Sequence, residues 1–165
     1  MMACHALLVL VAATALSQAA GEDRSFPGFV LWKPDVLERS IARLDRELSD
    51  KALVYETIGN YERHSVYLVL RGKTSTAEIH ETEADLYVVR RGRAILHLGG
   101  ELVDAERLPR KQLRGSSIRG GIQRELGPGD VVHIPVGVPH QLVLPEGESF
   151  LYDLTKFNEE PLESP

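Results

Sequence analysis

The sequence predicts an all-β fold, a sandwich or barrel of short strands preceded by one helix, on three observations. From Leu53 onward, β-rich runs recur at 53–58, 64–71, 76–81, 84–91, 93–98, 131–134, 138–144 and 149–157, a density suited to those architectures. Turn sequences fall between them at Gly99-Gly100, Gly127-Pro128-Gly129-Asp130 and Pro145-Glu146-Gly147. Ahead of the strands, Pro34 to Ser49 begins with proline and carries Leu37, Ile41, Leu44 and Leu48 at helical spacing, giving a helix with one apolar face to dock. The length of 165 residues suits one domain with its own core. Hydrophobic residues at 43% and charged residues at 26% exclude disordered and fibrous classes.

Taken in order, residues 1–19 read as a signal peptide. The first twenty residues contain no Asp, Glu, Lys or Arg, and Leu7 to Ala15 is an unbroken run of apolar and small residues. That run is too short for a membrane span, and Ser17 and Ala19 occupy the −3 and −1 positions of a cleavage site after Ala19. The expected location is secreted or periplasmic, with no stable membrane span after cleavage. An uncleaved anchor is the alternative, because only the amino terminus and His5 offer positive charge ahead of the run. The sole cysteine, Cys4, would leave with the leader, so the mature fold rests on its core, or on its core plus a metal. Residues 20–52 hold an irregular apolar segment, Phe26 to Trp32, and the helix; 53–157 form the barrel; 158–165 form a tail. Between Asp104 and Gly121 the alternation fails and five basic residues cluster, Arg107, Arg110, Lys111, Arg114 and Arg119. This reads as a long loop or extended hairpin, a solvated connection, the sharper alternative being an electropositive flap over a pocket for an anionic ligand. Nineteen Lys and Arg against 24 Asp and Glu give a net charge of −5, which disfavours a nucleic-acid partner.

Two segments carry paired motifs. In the first, Gly72, Glu78, Ile79, His80, Asp85 and Gly92 stand at the spacing Gly, five residues, His-x-His, three or four residues, Glu, six residues, Gly. In the second, Gly129, Pro135, Gly137 and His140 stand at the spacing Gly, five residues, Pro-x-Gly, two residues, His, three residues, Asn. These are the spacings of the cupin family, which the chain resembles from about residue 53 to 157. Glu78 replaces the first His, Asp85 replaces the Glu, and Leu144 stands where Asn would be. The resemblance implies a cupin-type double-stranded β-helix, a jelly-roll barrel, in a single-domain protein whose first motif is degenerate. It also implies one divalent metal ion in the barrel, held by Glu78, His80, Asp85 and His140.

The spacing has its own physical content. Side chains two apart on a strand share a face, so Glu78 and His80 both face the interior. Asp85 returns to the same region after a tight turn through Glu81 to Ala84, and His140 arrives after the Pro135-Val136-Gly137 turn. Two imidazole nitrogens and two carboxylate oxygens suit Mn, Fe or Zn, with Ni also compatible, and an octahedral ion so held keeps two open positions. Each residue has a plainer reading. A strand histidine is otherwise a hydrogen-bonded core residue, Glu78 would point outward if the strand slipped by one residue, and Asp85, one methylene shorter than Glu, reaches the metal directly or through water. Glu83 is its nearby substitute. Tyr87 and Val89 share the face of Asp85 as pocket candidates, core filling being the equal explanation. His64, His97 and His133 have no ligand role.

The function expected is a secreted metal-binding cupin, a metal-dependent enzyme of dioxygenase or isomerase type acting on a small molecule. The alternatives are a non-catalytic module binding a small ligand or sugar with a structural metal, and a metal-free barrel. Gly72-Lys73-Thr74 lacks the phosphate-loop glycine, since Tyr67 stands there; His80-Glu81 lacks the second zincin histidine, since Ala84 stands there. No Gly-x-Ser-x-Gly frame or Asn-x-Ser/Thr sequon is present. Leu86 and Val88 make the opposite face of their strand apolar, needing cover from the helix or a second subunit; the resemblance favours a homodimer.

Overall fold

Residues 21–22, 26 and 28–160 are described by a computed structural model; the signal peptide and cleavage near Ala19 expected from the sequence, and residues 161–165 of the tail, lie outside them. A short pair, β1 (Gly21–Glu22) and β2 (Val30–Leu31), precedes α1 (Pro34–Leu48). Strands follow as β3 (Leu53–Asn60), β4 (His64–Arg71), β5 (Ala77–His80), β6 (Glu83–Arg91), β7 (Ala94–Leu98), β8 (Glu101–Val103), β9 (Glu106–Leu108) and β10 (Gln112–Gly115). The chain continues through β11 (Ser117–Arg119), β12 (Ile122–Leu126), β13 (Val131–Ile134), β14 (His140–Val143) and β15 (Phe150–Asn158). No helix among the described residues is long and apolar enough to cross a membrane.

The fold is the expected jelly roll. One sheet runs β12-β7-β14-β5-β10-β9 and the other β13-β6-β15-β4-β3, with antiparallel pairing throughout. Alternate residues of both sheets point inward and meet in one core, in which Val69, Tyr87, Val89, Phe150 and Tyr152 face Ala94, Leu96, Leu126, Leu142 and Leu144. Leu144, at the motif position of Asn, is thus a core residue. The hairpin from β6 to β7 turns at Gly92, where φ is +83° and a Cβ would lie 2.0 Å from the Ser149 carbonyl oxygen; only glycine fits there.

The helix covers part of the outer face of the second sheet. Leu44 is fully buried against Val54, Leu68, Leu70 and Leu151, with Ile41, Leu48 and Ile58 around them. Arg43 pairs with Glu56 at 2.5 Å, and Asp45 pairs with Arg91. Leu86 and Val88 lie outside this cover: Val88 is 36% exposed and its cross-strand neighbour Val131 is 63% exposed. Leu44→Ala is expected to cost about 3 kcal/mol of unfolding free energy in urea denaturation, by loss of buried area and a residual cavity. Arg39→Ala, on the solvent side of the same helix, should change it by less than about 0.5 kcal/mol.

Of the two forms expected for 104–121, a long loop or an extended hairpin, the structure has the hairpin, β9 paired with β10. β10 pairs with β5 and β9, and β11 pairs with β8. These ribbons and β12 escaped the pattern because β8 to β11 run only three or four residues each and β12 is exposed at 122–125 and buried only at Leu126, so no apolar alternation marks them.

Candidate metal centre

Cross-strand register assembles the site. Glu78 on β5 lies directly opposite His140 on β14, and His80 is two residues farther along β5. The turn leading to His140 is pinned to the same strand, because Gly137 N–H, at a φ of +75°, donates to the His80 carbonyl at 2.8 Å. From the facing sheet, Asp85 on β6 comes in opposite Lys156 on β15. His80, His140, Asp85 and Glu83 are all buried.

Glu78, His80 and His140 each offer one ligand atom, and these lie within 4.8 Å of one another, a cluster able to hold a metal ion. Asp85 Oδ2 stands 3.6 Å from His80 Nε2 and 3.7 Å from His140 Nε2, too far for hydrogen bonds. Glu78, His80 and His140 are thus brought together, and Asp85 approaches the two histidines from across the barrel without belonging to that three-residue cluster. Glu83, the substitute, also points inward, 3.9 Å from His80 Nδ1. Tyr87 reaches the site, its hydroxyl 3.3 Å from Asp85 Oδ2. Val89 lies one step deeper on the same face and belongs to the core. His133 is exposed on the outer face, His64 stacks on Tyr61, and His97 contacts the Gly120 carbonyl.

The imidazoles are set up as ligands. His140 Nδ1 lies 3.0 Å from the Val138 carbonyl; a carbonyl only accepts, so Nδ1 carries the hydrogen and the neutral ring presents its Nε2 lone pair to the cluster. Both His140 Nε2 and His80 Nδ1 are buried without a hydrogen-bond partner, an arrangement that calls for an explanation in a folded interior. Burial, followed by the charge of Lys156, pushes the His80 pKa down to about 3, so its ring is neutral at physiological pH. Buried imidazole nitrogens without hydrogen-bond partners, beside carboxylates, fit a divalent cation.

The sequence reading names Arg114 in the basic segment 104–121, as part of a flap over an anion pocket in its sharper alternative, but not Lys156 or Arg71. Lys156 Nζ lies 2.8 Å from Asp85 Oδ1 and 3.3 Å from Glu83 Oε2. Burial alone would lower its pKa, but the charge and hydrogen bond of Asp85, then Glu83 and Glu78, outweigh it and raise it. Arg71 and Arg114 stand 3.8 and 3.5 Å from the two oxygens of Glu78, and Arg71 Nε donates to the Tyr152 hydroxyl at 3.1 Å. Burial, and then the Asp85 charge, hold the Tyr87 phenol well above its usual pKa, so it stays a donor. Lys156 had one signal in the sequence: it shares strand parity with Tyr152 and Leu154, both inward. A cleft of about 420 Å³ lined by Gly92, Arg93, Pro128, Pro145 and Glu148 lies at the other end of the barrel, where β6 and β14 finish and β13 begins.

The depressed His80 pKa makes a prediction for metal-free protein. Unfolding releases the ring to its ordinary value of 6.5, so below that pH the unfolded chain binds the proton and the folded one does not. The stability from neutral His80 is thus complete above pH 6.5 and lost as pH falls toward about 3. From pH 6.5 to about pH 5 the loss from this one group should be about 1.6 kcal/mol. Urea midpoints of wild type and His80→Gln should converge over that range; parallel curves would show that His80 does not titrate this way.

No family model matches the chain, and no curated protein matches it. Among solved structures, TT1209 from Thermus thermophilus superposes with a TM-score of 0.51 at 18% identity, over 72% of this chain and 93% of that one. The polyketide cyclase RemF from Streptomyces resistomycificus gives 0.47 at 19% identity, over 67% of this chain and 68% of that one. A Cupin 2 conserved barrel domain protein from Salinispora arenicola CNS-205 gives 0.44 at 19% identity, over 64% and 76%. At 18% identity the likeness to TT1209 is one of fold.

Proposed function

From the premise that the chain has the cupin fold, we propose that it is an exported metal-dependent enzyme of dioxygenase or isomerase type acting on a small molecule. The observation that carries this reading is the pair of buried ring nitrogens, His80 Nδ1 and His140 Nε2, that lack partners beside acidic side chains. His80 and His140 would anchor the ion, and Glu78 and Asp85 would complete or tune its shell. Manganese, iron and zinc suit two nitrogens with two carboxylates, nickel less well. When bound, the ion supplies Lewis-acid or oxygen-binding chemistry at open positions.

The chain's own groups prepare that position. Lys156 and Tyr87 hold the two oxygens of Asp85 from opposite sides, orienting its carboxylate toward the histidines. The Lys156 ammonium keeps a proton at Nζ beside the centre. The buried walls exclude bulk water and strengthen each of these interactions. Export rests on the apolar leader, and a homodimer would use the uncovered face around Val88 and Val131.

A second reading, a binding module with a structural metal, is favoured by one observation: Lys156, Arg71 and Arg114 already pair the site's carboxylates. Elemental analysis of protein purified without added metal, with water-proton relaxation of the Mn(II)-loaded form, separates the cases. One ion per chain carrying exchangeable water supports the enzyme. An ion with no exchangeable water overturns the enzyme in favour of the module, and protein that takes up no metal overturns both.

A further inference from the structure

Six charged side chains bracket the two imidazoles, and their signs cancel. Glu78, Glu83 and Asp85 are the acids; Lys156, Arg71 and Arg114 are the bases, each within 4 Å of one of those acids. Arg110, 3.4 Å from Glu83 Oε1 but 64% exposed, adds positive charge from the solvent side. A metal site usually gathers carboxylates that the ion neutralises; here internal cations have already neutralised them. A divalent ion therefore brings two uncompensated positive charges into a barrel interior, where unpaired charge is costly. The deficit is met most directly by an anion. The guanidinium groups point to its class. Arg71 and Arg114 stand 3.8 and 3.5 Å from Glu78, beyond hydrogen-bond length, so turning Glu78 onto a metal breaks no close contact. It leaves two groups that match carboxylate geometry beside the ion.

We propose that the metal-loaded centre takes a small carboxylate anion as co-ligand, so that metal and anion bind cooperatively and the natural substrate carries a carboxylate. This rests on the metal reading above and deepens it by naming a substrate class. Arg114, which reaches the site from β10 in the basic segment 104–121, is the outer part of this anion site and Arg71 the inner part. The solvated connection read from sequence thus contributes one side chain to the interior.

The test is titration of the full mature chain with Co²⁺, followed by calorimetry and visible absorption, in a non-coordinating buffer alone, with excess acetate, and with excess acetamide as the neutral isostere. Acetate should tighten Co²⁺ binding by about tenfold or more and alter the cobalt spectrum, while acetamide leaves both unchanged. By linkage, Co²⁺ should tighten acetate binding by the same factor. Arg114→Gln, on a half-exposed side chain, should keep Co²⁺ binding and reduce the acetate effect severalfold. Equal Co²⁺ affinity in acetate and acetamide overturns this inference and leaves the metal reading standing. No Co²⁺ binding under any condition overturns the metal reading and this inference with it.

Discussion

His140→Ala is expected to abolish stoichiometric metal binding. Nε2 of this ring is buried, lacks a partner and faces both Glu78 and Asp85, and its orientation is set by the Nδ1 contact with Val138. Groups that merely orient a ligand are worth about 10- to 100-fold in metal affinity, so removing the donor itself should exceed about 100-fold. Metal content by elemental analysis should fall from one ion per chain to a trace, and His80→Ala should behave alike. His133→Ala, on the exposed outer face, is the control and should retain full content. Metal kept by both site variants would place the ion elsewhere.

The second large effect concerns the pair that crosses from β6 to β15. Asp85→Ala removes the nearest partner of the Lys156 ammonium, 2.8 Å away, and leaves that charge with Glu83 alone. Breaking a buried ion pair from one side costs about 3 to 5 kcal/mol; Glu83, at 3.3 Å, should hold the loss near the lower figure. Lys156→Met leaves Asp85 the uncompensated member, and the double variant leaves neither. The double variant should therefore be more stable than the sum of the single losses predicts, by about 1 to 3 kcal/mol in a double-mutant cycle. Additive losses in urea denaturation would show that the two charges do not stabilise each other in the folded chain.

The strand that carries Asp85 was readable because it buries one face. On β6, residues 83, 85, 87 and 89 are buried while 88 is exposed, the alternation that a half-buried strand imposes on its sequence. The same parity put Glu78 with His80 and placed Tyr87 beside Asp85. β8 to β12 were not readable as strands: β8 to β11 are only three or four residues long, too short to show a period, and β12 buries Leu126 alone. The choice between Asp85 and Glu83 stayed open in the sequence because both have inward parity; in the fold both approach His80, Asp85 through Nε2 and Glu83 through Nδ1.

By itself, the sequence determined the fold class, the helix with its docking face, and the meeting of a Glu-x-His strand with a distant histidine. The first two follow from local periods and turn chemistry, which neighbouring residues set among themselves; the third is what the resemblance to the paired cupin motifs implies. Only the tertiary structure decided that Lys156 would face Asp85, that Arg71 and Arg114 would flank Glu78, and that the helix would cover Leu68, Leu70 and Leu151 while Val88 stays exposed. Those contacts depend on which strands become neighbours and in what register. Such pairing is settled by burying the two sheets against each other across long stretches of chain, and no local pattern encodes it. Electrostatic balance at the centre is a property of that pairing, which is why a site recognised by its ligands gained its cations only in three dimensions.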